Sequence, residues 1–146
     1  MDAPLPAGLA LRSVRTLAWV GDALFEQRVR ASVALRGDFS VDRLDVIKAA
    51  VVRAERQALL LESIAAELDD VESAMVRRAR NTTPPSSARG RRTMQSYRAA
   101  SALEALVALW STTAAGVARL EAVLMPKVEA AIDEAIATVG KRPRRG

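Results

Sequence analysis

From Val117 to Val139 the apolar residues Val117, Leu120, Leu124, Val128, Ala131, Ala135 and Val139 recur at intervals of three or four, the spacing of one face of an α-helix. No segment shows the two-residue alternation of a half-buried strand. The apolar set is dominated by Ala, Leu and Val, with only 3% aromatic residues. Small and aliphatic side chains of this kind suit the close contacts between helices better than a strand-rich sandwich. The expected fold is all-α, and 146 residues fit one domain with a single core.

Capping and breaking residues punctuate that domain. Pro4 and Pro6 mark an irregular segment over residues 1–10. A first helix is expected from about Leu11 to Leu35, with Gly37 in the C-cap role. Ser40 is the expected N-cap of a second helix from Val41 into the Arg53–Arg56 region, and a third stretch covers Gln57–Leu68. Asp69 and Asp70 suit the start of a helix running to about Arg80. The run from Asn81 through Thr82, Thr83, Pro84, Pro85, Ser86, Ser87, Ala88 and Arg89 to Gly90 reads as a working loop within one domain. Helices follow over Met94–Thr112 and Val117–Val139, with a pause near Gly116. The helical domain is thus expected over residues 11–139, and residues 140–146 as a disordered basic tail.

The chain has no cysteine and no histidine. Disulfides, thiolate metal sites and imidazole-based acid–base or triad chemistry are therefore excluded. Any catalysis must rest on carboxylates, amines, hydroxyls or a metal held by oxygen ligands. No apolar run approaches the ~20 residues that span a bilayer. The opening Met1-Asp2-Ala3-Pro4 has neither the basic start nor the apolar stretch of a secretion signal, so a cytoplasmic protein without membrane contact is expected.

The net charge of +5 is unevenly spread. Between Glu72 and Glu104 there is no acidic residue, while seven arginines fall there: Arg77, Arg78, Arg80, Arg89, Arg91, Arg92 and Arg98. With Lys141, Arg142, Arg144 and Arg145 of the tail they make up half of the 22 basic residues, leaving eleven against 17 acidic ones. An acidic body with one basic segment suits a polyanionic partner, because the guanidinium fork matches phosphate in charge and geometry. For the tail, a solvated solubilising role is the simpler reading.

Two carboxylates sit in costly places. Asp22 lies at the edge of the apolar arc of the first helix, near Ala18, Phe25 and Val29, and follows Gly21, which is disfavoured mid-helix by ~1 kcal/mol relative to Ala. A glycine there permits close approach of another helix or a ligand. Glu104 shares a face with Tyr97, Ala100, Ser101 and Ala108, beside the apolar stripe of Leu103, Val107 and Trp110. A carboxylate in such surroundings is expensive to desolvate unless it is paired or metal-bound. If the two helices pack side by side, Asp22 and Glu104 meet over one hard cation such as Mg²⁺. The rival reading is a buried Asp22–arginine ion pair or a plain surface carboxylate.

The run Leu17-Ala18-Trp19-Val20-Gly21-Asp22-Ala23-Leu24-Phe25-Glu26 resembles the glycine–aspartate–alanine signature of the ribonuclease III catalytic domain. Ala99 through Val107 resembles that family's second acidic motif, with Glu104 in the Glu-Ala-Leu position. Arg77-Arg78-Ala79-Arg80-Asn81 and Gln95-Ser96-Tyr97-Arg98 resemble elements of the Mini-ribonuclease III branch. The likeness runs from about Leu11 to Leu124.

The resemblance implies a ribonuclease III-like helical bundle acting as a homodimer on double-stranded RNA. It makes Asp22 and Glu104 catalytic, metal-binding carboxylates for Mg²⁺, with Mn²⁺ as a substitute. Two further acidic positions of full-length relatives are Ala18 and Ser101 here, as befits the less acidic Mini branch. It also implies maturation of large-subunit (23S) ribosomal RNA ends, helped by a large-subunit ribosomal protein. Without a separate binding domain the catalytic domain must hold the duplex itself, and duplex RNA is recognised largely through shape and phosphates. Arg77, Arg78, Arg80, Asn81, Arg91, Arg92, Tyr97 and Arg98 are the expected RNA contacts, with Tyr97 equally suited to packing. Glu26, one turn beyond Asp22, is either a supporting residue behind the site or a surface contact. Ala79 stands where the branch usually has glycine, and Thr83-Pro84-Pro85 is stiffer than expected.

Three rivals remain in play. A non-catalytic RNA- or ribosome-binding helical dimer would keep the fold without the acidic pair. A DNA-binding protein would need a recognition helix, and no helix-turn-helix is evident. A purely structural oligomer leaves the arginine run without a purpose.

Overall fold

A computed structural model describes residues 3–82 and 90–140, without the side chains of Arg91 and Arg92. Thr83 to Arg89 of the expected loop, those two side chains and the tail from Lys141 onward lie outside the described residues. Among the described residues there are helices and turns and no strand. The helices are α1 (Val14–Ala34), α2 (Val41–Val52), α3 (Ala54–Ile64), α4 (Asp70–Arg80), α5 (Arg91–Trp110), α6 (Ala114–Arg119) and α7 (Met125–Gly140). Short 3₁₀ turns cover Ala7–Leu11 and Ala65–Glu67. The all-α fold expected from periodicity is the one observed.

Helix α5 is the axis of the molecule. From Ala99 to Ala108 every residue is buried except Ser101 and Glu104. A helix apolar on all sides belongs inside a bundle, and α5 is flanked by α1, α3 and α4, with its most extensive contact along α1. The alanines at 99, 102, 105 and 108 let these neighbours approach closely around Leu103, Leu106 and Val107. Phe25, Val29, Ile47, Leu61, Ile64, Leu120, Leu124 and Ile132 complete the core.

Boundaries follow the capping chemistry. Helix α1 starts at Val14, later than expected, because the Ser13 side chain accepts from the Thr16 amide. Its C-cap is Leu35 rather than Gly37. Ser40 caps α2 as expected. Asp69 and Glu72 form a reciprocal capping box at the start of α4.

The expected pause near Gly116 falls instead at Ser111–Thr113. Thr113 caps α6 by accepting from the Gly116 amide at 2.9 Å, so Gly116 is helical. It is small because a Cβ there would lie 2.1 Å from the Trp110 carbonyl oxygen. Between α6 and α7 the helix widens into a π turn over Leu120–Leu124, closed by the Met125 amide on the Leu120 carbonyl. Pro126 follows at once. With no N–H to donate and a ring that clashes with a carbonyl one turn back, proline favours such a widened turn.

Long-range polar links fasten the periphery. Arg36 at the end of α1 donates to Asp133 at 2.7 Å and pairs with Glu129, while Ser32 donates to Glu129 at 2.9 Å. Arg56 of α3 reaches Glu134 at 2.7 Å. One link is buried: Glu72 accepts from the Trp110 indole, from Arg119 Nη2 at 2.6 Å and from Arg119 Nε at 3.1 Å. It also accepts from the Asp69 amide at 2.9 Å. These donors, Arg119 foremost, hold the Glu72 carboxyl down at about 2, against an ordinary 4.5.

Because its folded value is depressed, the stabilisation by Glu72 is present above pH 4.5 and is lost as pH falls through about 2. Glu72→Ala strands the Trp110 N–H and Arg119, and is expected to cost about 2–3 kcal/mol in urea denaturation at pH 7. The difference from the unsubstituted protein should narrow as the titration is repeated from pH 4 towards pH 2.

Candidate active site

The first acidic residue is positioned by a close helix crossing. Gly21 of α1 packs so tightly on α5 that a Cβ built on it would lie 1.7 Å from the Glu104 carbonyl oxygen. The glycine that weakens α1 locally is the one that lets the two helices touch. Asp22, next in sequence, is then set beside the side chain of Glu104. The expectation that the two carboxylates converge is met in the packing.

Asp22 is exposed and Glu104 is half-buried, and both line one open pocket of about 470 Å³. Val14, Ala18 and Trp19 of α1 form one wall, with Tyr97, Arg98 and Ser101 of α5 on the other. Ala79 and Thr82 close the end near α4. Ala18 and Ser101 open into the same space.

Electrostatics mark the pair. Burial pushes the Glu104 carboxyl up to about 7, and the negative charge of Asp22 adds to the shift. The Gln57 side chain opposes it by hydrogen bonding. Two facing carboxylates in a pocket otherwise lacking acidic groups offer oxygen ligands to a hard cation. Among the described residues no cluster of three or more acidic groups competes for that role. Mg²⁺ is commonly held by one or two carboxylates with water completing its shell, so this donor set fits it.

The basic candidates divide. Arg98 lines the pocket, and its buried Nε has no hydrogen-bond partner among the described residues. A buried guanidinium nitrogen without an acceptor is costly. Arg77, Arg78 and Arg80 are exposed on the last turn of α4, and Asn81 caps it. Tyr97 is 39% exposed on the pocket wall. Glu26 is not among the lining residues; it pairs with Lys48 at 3.4 Å and Arg30 at 3.3 Å, tying α1 to α2. Of the two readings open for it in the sequence, the surface contact describes its placement.

Three participants escaped the sequence reading. Arg15 lines the pocket one turn before Trp19. Trp19 itself is 79% exposed at the rim. Gln57 is buried at 3% exposure behind Glu104. A tryptophan next to the Gly21-Asp22 pair was a visible signal for the rim; nothing in the sequence marked Gln57.

Comparison with known proteins identifies the family of the chain. Residues 15–114 match the Ribonuclease III domain family. The chain is 39% identical over 109 residues to the Synechocystis Mini-ribonuclease 3, covering 72% of this chain and 71% of the relative. It is 37% identical over 101 residues to the Desulfitobacterium hafniense Mini-ribonuclease 3, covering 67% of this chain and 61% of that one, so it spans under two thirds of that relative's length. A crystal structure of a Fusobacterium nucleatum protein superposes with a TM-score of 0.59 at 28% identity, covering 88% of each chain.

Two outcomes test the geometry. Alanine at Gly21 gains about 1 kcal/mol of helix propensity. The collision with the Glu104 backbone outweighs this, so Gly21→Ala should be destabilised by about 3 kcal/mol or more in thermal melts. Glu104 holds its proton more tightly in the folded than in the unfolded chain, so its contribution is full below pH 4.5 and is lost as pH rises through about 7. In EDTA, Glu104→Gln should therefore be more stable than the unsubstituted protein at pH 8 by about 1–2 kcal/mol, with the advantage gone by pH 5.

Proposed function

The chain belongs to the Mini-ribonuclease 3 branch of the ribonuclease III family, and on that premise we propose that it is a Mg²⁺-dependent endoribonuclease that cleaves double-stranded RNA as a homodimer. The observation that carries this reading is the meeting of Asp22 and Glu104 in one open pocket, with Arg98 on the same wall. The two carboxylates hold the cation. The chemistry it supplies there is polarisation of the phosphodiester and activation of the attacking water. No histidine is needed, in keeping with a chain that has none.

The protein's own groups do the rest. Arg98, which lines the pocket, offers its guanidinium to a non-bridging phosphate oxygen next to the cut. The exposed Arg77, Arg78 and Arg80 lie at the α4 end, where Ala79 and Thr82 border the pocket, and contact the backbone farther along the duplex. Arg91 and Arg92 are counted among the RNA contacts of this reading. Tyr97 lines the approach beside Glu104.

The exposed Trp19 ring at the rim supports the homodimer, since a large apolar ring beside a polar site gains from burial against a second copy. Within this reading, the substrate is the end of a large-subunit (23S) ribosomal RNA precursor, presented with a large-subunit ribosomal protein. Maturation there takes place in the cytoplasm. No helix among the described residues is long and apolar enough to cross a membrane. Mn²⁺ is expected to replace Mg²⁺, both being oxygen-preferring divalent cations.

The test is incubation of the protein and of Glu104→Gln with a long labelled RNA duplex, single-stranded RNA and duplex DNA, with Mg²⁺ or with EDTA. Cutting confined to duplex RNA, present with Mg²⁺ and absent with EDTA, is the expected result. Glu104→Gln should lose cleavage by about 10³-fold or more while still folding and dimerising, the scale of removing one electrostatic element of an active site. Retained cutting by that variant would sink the assignment. Binding of duplex RNA with no cutting, even beside ribosomal RNA and large-subunit proteins, would leave the non-catalytic RNA-binding dimer.

A further inference from the structure

Thr82 lines the pocket at the α4 end, beside Ala79, and the proposed chemistry gives it no task. It is half-buried and follows Asn81, the C-cap of α4. Both of its polar hydrogens are committed to the turn behind it. The amide donates to the Ala79 carbonyl at 3.2 Å, and the hydroxyl donates to the Arg78 carbonyl at 3.1 Å. The last carbonyls of a helix lack partners within it, and Thr82 satisfies two of them.

A threonine hydroxyl has one hydrogen and two lone pairs. With the hydrogen turned back onto α4, the Thr82 oxygen can only accept. Its neighbours in sequence are the reverse: Arg77, Arg78 and Arg80 are exposed on the last turn of α4, and a guanidinium only donates. Phosphate oxygens are acceptors, so these arginines suit them and the Thr82 oxygen does not. An acceptor set in a row of phosphate-directed cations suits what lies between successive phosphates along a strand, which is the sugar. Deoxyribose within a strand has no hydrogen-bond donor, whereas ribose has one, its 2′-hydroxyl.

We propose that Thr82 is a specificity-determining residue, whose hydroxyl oxygen accepts a hydrogen bond from a ribose 2′-hydroxyl of the strand held by the α4 arginines. The inference rests on the reading of this pocket as the site that binds duplex RNA. A-form RNA displays its 2′-hydroxyls along a wide, shallow minor groove that side chains can reach. Contacts between arginine and phosphate fix register and orientation but are blind to the sugar. Thr82 adds the discrimination against DNA that they lack.

The experiment measures binding in EDTA, where no strand is cut, by fluorescence anisotropy of three labelled duplexes. One is RNA, one has the same sequence with 2′-fluoro sugars, and one is RNA with inosine in place of guanosine. The 2′-fluoro sugar keeps the A-form pucker without the O–H donor, and inosine lacks the amino group that guanine shows in the minor groove. The unsubstituted protein, Thr82→Val, Thr82→Ala and Thr82→Ser are compared, with thermal melts alongside to show that each is folded. Valine keeps the shape of threonine, and alanine guards against a misfit of the added methyl. Both variants should bind the RNA duplex about 3–10-fold more weakly, the scale of one net hydrogen bond, and bind the 2′-fluoro duplex as the unsubstituted protein does. Thr82→Ser, which keeps the oxygen, should retain the affinity for RNA. If valine and alanine weaken the RNA and 2′-fluoro duplexes alike, or weaken neither, the sugar contact is overturned. If their effect vanishes on the inosine duplex instead, the oxygen reads guanine and the ribose assignment is overturned. If the unsubstituted protein binds none of the duplexes and leaves RNA uncut with Mg²⁺, the RNA-binding reading falls, and this inference with it.

Discussion

The contact of Gly21 with the Glu104 backbone governs the rest of the molecule. A Cβ at Gly21 would overlap the Glu104 carbonyl oxygen at 1.7 Å, so only glycine allows α1 and α5 to touch at this depth. Because Asp22 follows Gly21, and the Glu104 side chain springs from the residue being touched, one crossing brings the two carboxylates together. The remaining helices keep it closed. Helices α3 and α4 pack on other sides of α5, and α7 is tied to the end of α1 through Arg36 and Ser32. Interiors packed at crystal-like density transmit small displacements. A shift in this crossing therefore moves both acidic groups at once.

The chain uses two glutamates, one buried and one half-buried, in opposite ways. Glu72 is met by Arg119, by the Trp110 indole and by the Asp69 amide, and its carboxyl falls to about 2. Every lone pair has a partner, so the charge stabilises the fold and joins α4 to α5 and α6. Glu104 is desolvated by burial and faces Asp22, a like charge, and its carboxyl rises to about 7. The first is built to stay ionised and still; the second is held at a cost that a cation would remove. That contrast separates structural carboxylates from those reserved for chemistry.

What could be read from the sequence follows from the range of the forces involved. Helical periodicity and side-chain caps are local, so the all-α fold and the starts at Ser40 and Asp69 were legible. Asp22 and Glu104 were legible because each breaks an apolar pattern on its own helix. Gly116 was misread as a pause, since its smallness answers to Trp110, and Thr113 sets the boundary. The π turn before Pro126 also went unseen, because the apolar stripe from Val117 to Val139 runs unbroken across it. Gln57 was invisible for a deeper reason: its partner lies on another helix, and a glutamine amid charged residues looks like surface. Arg15 and Trp19 were hidden behind Asp22, whose pocket only the packing reveals.

Ala18 and Ser101 complete the physical picture. Both open into the pocket at positions that could have held further acids. Each added carboxylate would strengthen a cation's hold, but would also raise the repulsion that already drives Glu104 towards neutrality, and would push away an incoming phosphate. With two carboxylates, one divalent cation would bring the acidic pair to formal neutrality, with Arg15 and Arg98 left as positive charge in the pocket. A phosphodiester then meets a neutral centre flanked by Arg98, with positive charge farther out on α4. The cation must in turn be held by fewer ligands. Geometry then has to replace charge: a close glycine crossing sets one carboxylate against the other. On the proposed reading, the mutual placement of Asp22 and Glu104 would carry a larger share of metal affinity than it would in a more acidic site.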